Sequence, residues 1–248
     1  MTKEERETRR EEISNYCKRI SWSQVAVDLC KEAKAMEEAF LHKVLEKELE
    51  NREASRRRRL LREAAFPVYK TLETYDFGQI KLPSGLEKED LVNGSLLRHK
   101  RNLILYGSVG TGKSHLATAI GVKACEEGYK VRFFTVPEII VRLTQVYKEG
   151  TLEKTMKKIL SADLIIFDEW GYVPVDRQGA QLLFRLIAES YERRSIIITT
   201  NIEFSKWGAI FTDDQMAAAM IDRLAHHGHL IVFNGESYRM RHALMKKG

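Results

Sequence analysis

The chain has 248 residues, of which 44% are hydrophobic and 31% are charged. That length and composition are typical of a globular protein with one α/β core and a smaller appendage. The apolar runs are strand-sized and residues 1–6 carry no apolar stretch suited to a signal peptide, so the sequence predicts a cytoplasmic protein without membrane contact. A formal net charge of +6 is compatible with a polyanionic partner but does not by itself indicate one.

Residues 1–67 predict a small, charged, all-helical domain. Proline and glycine are absent before Pro67, which ends the helical segment. Its apolar residues recur roughly on one helical face and indicate that these helices need a partner surface: Val25, Leu29, Ala33, Met36, Phe40, Val44 and Leu49. A connector with turn signals is predicted over 68–100, followed by a third region over 101–248.

Strands and helices alternate beyond residue 100. The predicted strands are 102–106, 131–135, 164–168, 195–201 and 229–233. The predicted helices lie within 113–127, 137–160, 178–193 and 214–226. This alternation predicts an α/β fold in which a parallel sheet is flanked by helices on both faces.

A glycine-rich turn lies directly between the first predicted strand and the first predicted helix of this region. Its residues are Gly107, Ser108, Val109, Gly110, Thr111, Gly112, Lys113 and Ser114. Glycines let backbone N–H groups converge on phosphate oxygens, and the following helix adds the positive end of its dipole. We expect an ATP cradle that includes His115, with Lys113 on the β- and γ-phosphates and Ser114 on a bridging Mg²⁺.

Polar residues also end the third and fourth predicted strands. Asp168 and Glu169 follow the apolar run 164–167, and the carboxyl edge of a parallel sheet is where ligands bind. We expect Asp168 to hold Mg²⁺ through water and Glu169 to polarise the water that attacks the γ-phosphate. Asn201 closes a strand that can sit between the two motif strands, where its amide would orient that water; an Asn that caps a turn is the alternative.

Two arginines further along the chain are candidate phosphate contacts. Arg223 lies near the end of the penultimate predicted helix, where it can project onto the nucleotide of a neighbouring subunit and neutralise transition-state charge. A surface ion pair with Asp222 or another neighbour is the alternative. Arg239 follows the last strand and is a candidate γ-phosphate contact within the same chain.

Taken together, these motifs resemble the IstB-like ATPases, which are AAA+ helper proteins of bacterial insertion sequences and relatives of the DnaC helicase loaders. The resemblance begins near Arg56, and outside the phosphate loop it is carried by residues 168–174, 191–195, 199–201, 222–227 and 235–239. It implies an AAA+ P-loop core with a reduced or absent C-terminal lid. It makes Asn201 the first sensor, Arg223 the arginine finger and Arg239 the second sensor.

The resemblance also implies partners: homo-oligomers that form with ATP, duplex DNA, and a cognate transposase that is recruited and stimulated. Candidate DNA contacts are Arg56, Arg57, Arg58 and Arg59 in one segment and Arg142, Lys148, Lys154, Lys157 and Lys158 in another. No base-reading motif is apparent, so we expect sequence-independent binding through phosphates. A solvated helix face is the alternative for each segment.

Three other functions remain open at this stage. A DnaC-type helicase loader shares the ATPase core, a small-molecule P-loop kinase shares the phosphate loop, and a scaffold would bind nucleotide without turnover. A metal site at His226, His227 and His229 is not expected, because no carboxylate or thiol has ligand spacing with them in the sequence. We interpret these histidines as packing beside the helix that carries Arg223.

Overall fold

A computed structural model of the chain describes residues 3–73, 75–172, 175–211 and 213–238. The chain divides into two compact units, Met1–Arg59 and Leu60–Gly248. Within the described ranges, no helix combines the length and apolar character needed to cross a membrane.

The first unit is helical, as predicted. It contains α1 (Lys3–Arg19), α2 (Gln24–Lys31) and most of α3 (Ala35–Ala64). A small core joins the three helices and consists of Ile13, Cys17, Ile20, Val27, Cys30, Leu45 and Leu49. The Glu38 carboxylate of α3 is fully buried and accepts hydrogen bonds from Arg6 and Arg10 of α1, which fixes those two helices against each other.

The second unit is built on a five-stranded parallel sheet. Its strands are β1 (Asn102–Gly107), β2 (Val131–Thr135), β3 (Leu164–Trp170), β4 (Ser195–Thr200) and β5 (Gly228–Phe233). The spatial order is β2-β3-β4-β1-β5, and every neighbouring pair is parallel. β4 therefore lies between the two strands that carry the sequence motifs, a position that the sequence allowed.

Helices cover both faces of this sheet. They are α4 (Lys88–Val92), α5 (Ser95–Arg98), α6 (Lys113–Glu126), α7 (Val136–Lys148), α8 (Leu152–Leu160), α9 (Arg177–Ser190), α10 (Trp207–Phe211) and α11 (Asp214–His226). Alternate residues of β1 enter different cores: Leu103 and Leu105 pack in the core that contains α6, and Ile104 packs in the one that contains α7, α9 and α11. The predicted α/β architecture is thus confirmed.

Two local predictions differ from the structure. The helix predicted to reach residue 193 ends at Ser190, because the following Tyr191 leaves helical geometry and Glu192 has a φ of +58°. The 68–100 segment is more than a string of turns: α4 and α5 bury Leu91, Leu96 and Leu97 in the core of the second unit. Turn signals in the sequence do not indicate this burial, because it depends on packing against residues that are distant along the chain.

Candidate nucleotide-binding site

The described part of the second unit contains a cavity of about 840 Å³ at the carboxyl ends of β1, β3 and β4. Residues 109–115, which comprise most of the glycine-rich turn and the following histidine, line one side of the cavity. Asp168, Glu169 and Asn201 line it from the strand ends. Two further segments close it, one around Tyr75 and one over 235–238. The fold therefore gathers the predicted phosphate loop, acidic pair and Asn201 around one cavity.

The turn's backbone requires glycine at two positions. Gly110 and Gly112 have φ values of +83° and +98°, which other residues rarely adopt. A Cβ on Gly110 would lie 2.2 Å from the Ser237 hydroxyl oxygen, so that position also lacks room for a side chain. The Thr111 hydroxyl donates to the Ser108 carbonyl oxygen at 2.8 Å and braces the same turn.

Lys113 is held over the turn in the first helical position of α6. Its Nζ donates to the carbonyl oxygens of Gly107 and Ser108, each at 2.7 Å. The residue is only 9% exposed. The ammonium is therefore positioned by the loop itself, at the place where phosphate oxygens would enter the cradle.

Asp168 joins the phosphate loop to the sheet. Its Oδ1 accepts a hydrogen bond from the Ser114 hydroxyl at 2.7 Å and another from the Thr199 hydroxyl. The carboxylate is buried. A serine hydroxyl beside a carboxylate supplies the hard oxygen ligands that Mg²⁺ prefers, so these residues fit the expected ion.

Glu169 differs from its neighbour in both exposure and backbone geometry. It is exposed to the cavity and has a φ of +62°. The β3–β4 register shifts between Phe167 and Trp170, and the Glu169 N–H donates to the Thr199 hydroxyl oxygen at 3.1 Å. The Thr199 hydroxyl thus hydrogen-bonds to both acidic residues, to the side chain of Asp168 and to the backbone of Glu169.

Thr199 is a site residue that sequence reasoning did not assign. It lies in β4 directly beside β3, and its hydroxyl donates to Asp168 and accepts from the Glu169 N–H. Its signal in the sequence was weak: a threonine near a strand end is ordinary, and only the strand order and the register shift bring it to the acids.

A Tyr75–His115 pair forms another wall that the sequence did not predict. The two rings meet edge to face with centroids 5.3 Å apart, and both line the cavity. Within the described residues, His115 Nε2 is buried without a hydrogen-bond partner. Burial, reinforced by the positive charge of Lys70, lowers the pKa of His115, which keeps the ring neutral near pH 7.

The segment after β5 covers the phosphate loop from the other side. The Tyr238 N–H donates to the Gly110 carbonyl oxygen at 3.0 Å, and Gly235 and Glu236 line the cavity. Arg239, the candidate second sensor, lies outside the described residues. So does the segment in which a C-terminal lid would lie.

Arg223 is placed apart from the cavity of its own chain. Its Nη1 donates to the Ala219 carbonyl oxygen at 2.8 Å, and its guanidinium carbon lies 5.3 Å from the centroid of the Phe184 ring. Among the described residues, the alternative ion pair with Asp222 does not form. The side chain is therefore held in a fixed position on the surface that α9 and α11 share.

The histidines near the end of α11 are accompanied by a carboxylate, contrary to expectation. His226 Nδ1 shares a hydrogen bond of 2.6 Å with the Tyr191 hydroxyl, and His227 Nε2 lies 3.2 Å from Glu192 Oε1. The turn after α9 brings Glu192 to the pair, and sequence spacing does not reveal that approach. His229 instead contacts Arg101.

The candidate DNA contacts all lie on exposed helix surface. Lys154, Lys157 and Lys158 share one face of α8, opposite the buried Met156 and Ile159. Arg142 and Lys148 are exposed on the adjoining α7. The four arginines at 56–59 are consecutive on α3 and so project around most of the helix circumference.

A phosphate loop after β1, an acidic pair at the end of β3 and an intervening β4 define a P-loop nucleotide-binding protein. The chain belongs to the family described as IstB-like ATP binding protein, whose model matches residues 20–246. The predicted family, fold and ATP-binding character are confirmed.

Individual relatives agree with this family. The chain is 34% identical to the ATP-binding protein of insertion sequence IS5376 in Geobacillus stearothermophilus, over 94% of this chain and 95% of that protein. It is 37% identical to that of IS21 in Pseudomonas aeruginosa, over 82% of this chain and 76% of that protein. A crystal structure of the DnaC helicase loader shares the fold, with a TM-score of 0.52, 20% identity and coverage of 66% of this chain and 96% of that one.

Proposed function

We propose that this protein is a Mg²⁺-dependent ATPase that assembles on duplex DNA and recruits a transposase. The observation that carries the proposal is the hydrogen-bonded cluster of Ser114, Asp168, Thr199 and Glu169 at the ends of adjacent strands. It combines ion-binding oxygens with an exposed carboxylate beside them. The relatives are named for insertion sequences, which supports a role for this protein in transposition.

Nucleotide binding follows from the positioned donors. The backbone of the glycine turn and the Lys113 ammonium would hold the phosphates, and Ser114 and Asp168 would hold Mg²⁺, which neutralises charge on the β- and γ-phosphates when bound. The buried, unpartnered Nε2 of His115 indicates that the cavity wall is completed by a ligand group.

Hydrolysis depends on how Glu169 is held. Its carboxylate is exposed to the cavity, while its backbone N–H is hydrogen-bonded to Thr199. The backbone is therefore held in position, and the side chain can orient and deprotonate water. Asn201, on the neighbouring strand end, lines the same cavity and would hold that water from the other side. Asp168 stays with the metal site because Ser114 and Thr199 both donate to it.

A second subunit would complete the site. Arg223 does not line the cavity described for its own chain, yet Phe184 and the Ala219 carbonyl hold its guanidinium in place. An arginine fixed on an outer surface is suited to enter the nucleotide site of a neighbour, where it would stabilise transition-state charge. Hydrolysis would therefore require the homo-oligomer.

For DNA, α8 is the better of the two candidate surfaces. Lys154, Lys157 and Lys158 point the same way and can meet one phosphate backbone together. At about 100° per residue, the run 56–59 can present only part of its charge to one duplex. Neither surface has features that would read bases, so binding is expected to ignore sequence.

The DnaC-type helicase loader is the alternative function, and the shared fold is its support. The family match speaks against a small-molecule kinase. A decisive experiment measures particle size with ATP and Mg²⁺ on duplex or single-stranded DNA of equal length. Large assemblies on duplex are expected; assembly on single strands alone would indicate a loader, and a monomer throughout would refute the proposal.

The DNA surface has its own test. Replacing Lys154, Lys157 and Lys158 by Ala should weaken duplex binding and reduce the salt slope by up to about 3, roughly one for each phosphate that is no longer neutralised. The matched control removes three exposed lysines of the first unit, Lys31, Lys43 and Lys47. Equally weakened binding by both variants would show that net charge alone is responsible.

A further inference from the structure

The first unit exposes apolar side chains that its own core does not use. Met36 and Phe40 of α3 are 88% and 69% exposed, and Leu29 of α2 is 63% exposed. Val25 and Val44 extend the same two rows, with spacings of four residues along each helix. The sequence pattern predicted a partner surface for these residues, and within the first unit they remain uncovered.

This apolar surface faces away from the internal packing of the unit. Glu38 and Leu45, seven residues apart, lie on the side of α3 that packs against α1. Phe40 is rotated from Glu38 by about 200° around the helix. Covering Phe40 therefore requires no change in the unit's own core.

Part of the two rows lines an open groove, which we name the α2–α3 groove. Its volume is about 630 Å³, and it is lined by Leu29, Glu32, Ala33, Met36, Glu37, Phe40 and Leu41. The row from Met36 to Val44 is about 12 Å long at 1.5 Å per residue. That length and the four-residue spacing match two to three turns of an amphipathic helix, the usual occupant of a groove between two helices.

The charges of the groove select the kind of helix. The charged residues that line it, Glu32 and Glu37, are both acidic. The Glu37 carboxylate accepts a hydrogen bond from the Lys34 N–H at 2.6 Å, which fixes it at the start of α3. Acidic walls favour lysine or arginine beside the apolar stripe and disfavour the phosphates of DNA or of a lipid surface.

We propose that the α2–α3 groove binds an amphipathic helix with basic flanks, supplied by a protein partner. Apolar side chains of that helix fill the space between Leu29 and Phe40, and its cations face Glu32 and Glu37. The groove itself does not depend on the ATPase; only the expectation that the helix belongs to a transposase rests on the proposed function.

The test uses the full chain without nucleotide and two labelled peptides of about 16 residues. Both carry leucines at helical spacing; one has flanking lysines and the other flanking glutamates. The lysine peptide should bind, and Met36→Asp with Phe40→Asp should weaken it about tenfold or more. Val141→Asp, at an exposed apolar position of α7, is the matched control and should leave binding unchanged.

Charge exchange provides a second readout. Glu32→Lys with Glu37→Lys should transfer the preference to the glutamate peptide. Equal binding of both peptides by the unmodified chain, or binding unaffected by the groove substitutions, would overturn the proposal. So would self-association of the nucleotide-free chain that Phe40→Asp abolishes, because the occupant would then be a second copy. Since no ATP is present, these outcomes are independent of the ATPase assignment.

Discussion

The two units depart in different ways from the usual pattern of an apolar interior and a polar surface. In the second unit, apolar strands fill two cores, while buried polar groups such as Lys113, Asp168 and Thr199 converge on one edge of the sheet. In the first unit, a buried carboxylate, Glu38, lies inside and Phe40 and its neighbours lie outside. Concentrated buried polarity is suited to chemistry, and exposed apolar rows are suited to contact with another protein.

The two units also differ in where a residue other than glycine adopts a positive φ. Glu169 adopts a left-handed conformation inside a strand and is anchored by Thr199. Ser21 of the first unit also has a positive φ, but it lies in the turn between α1 and α2, where such geometry is ordinary. Of the positive-φ residues other than glycine in the described part of the chain, only Glu169 lies within a strand and lines the nucleotide cavity, where reaction chemistry is expected.

The largest predicted effect is at the phosphate loop. Lys113→Ala removes a positive charge and two loop hydrogen bonds, so ATP affinity should fall about a hundredfold or more. Titration with a fluorescent ATP analogue measures this. Lys123→Ala, on the same helix but paired with Glu127, is the control and should bind normally. Normal binding by Lys113→Ala would remove the basis for assigning chemistry to the second unit.

An intermediate effect is predicted at Thr199. Thr199→Val keeps the shape but leaves Asp168 and the Glu169 N–H without their shared hydroxyl. ATP turnover should fall about ten- to a hundredfold, with a much smaller change in ATP affinity. Thr199→Ser retains the hydroxyl and should recover most of the turnover. If valine and serine variants behave alike, Thr199 does not position the acids.

The smallest predicted effect concerns the first unit. Hydrogen bonds from Arg6 and then Arg10 lower the pKa of Glu38 from 4.5 to about 2. A lowered folded-state pKa gives stability that is present above about pH 4.5 and is lost as the pH falls towards 2. The protection factors of α1 amides, which correct for the pH dependence of intrinsic exchange, should therefore fall across that range in the wild type.

Glu38→Gln isolates this contribution. At neutral pH its α1 amides should exchange about three- to tenfold faster than those of the wild type. Its protection factors should also depend less on pH between 5 and 2. Parallel pH profiles for the two proteins would show that the ion cluster does not hold α1 against α3.

The features that sequence predicted well are local. The strand 164–168 is a continuous apolar run, and the glycine turn carries its own spacing, so each is visible within a few residues. Parallel topology then follows from alternation of strands and helices. The sequence also allowed β4 to lie between the two motif strands, and the strand order has it there.

The features that sequence did not predict depend on long-range geometry. Thr199 meets the acids only because β4 adjoins β3 with a shifted register. Tyr75 reaches His115 across 40 residues of chain, and Glu192 reaches His227 from a different helix end. In the first unit, periodicity marked an apolar face but did not reveal that only part of that face is buried.

We propose that Glu169 of one subunit and Arg223 of its neighbour act on the same ATP. The direct measurement is steady-state ATP hydrolysis by Glu169→Gln, by Arg223→Ala and by their equal mixture, on duplex DNA. Each variant alone should bind ATP yet turn over about a hundredfold more slowly than the wild type. Random mixing pairs an intact Glu169 with an intact neighbouring Arg223 at one interface in four, so about a quarter of wild-type activity should return. Mixed oligomers that remain inactive would show that Glu169 and Arg223 do not act together across a subunit interface.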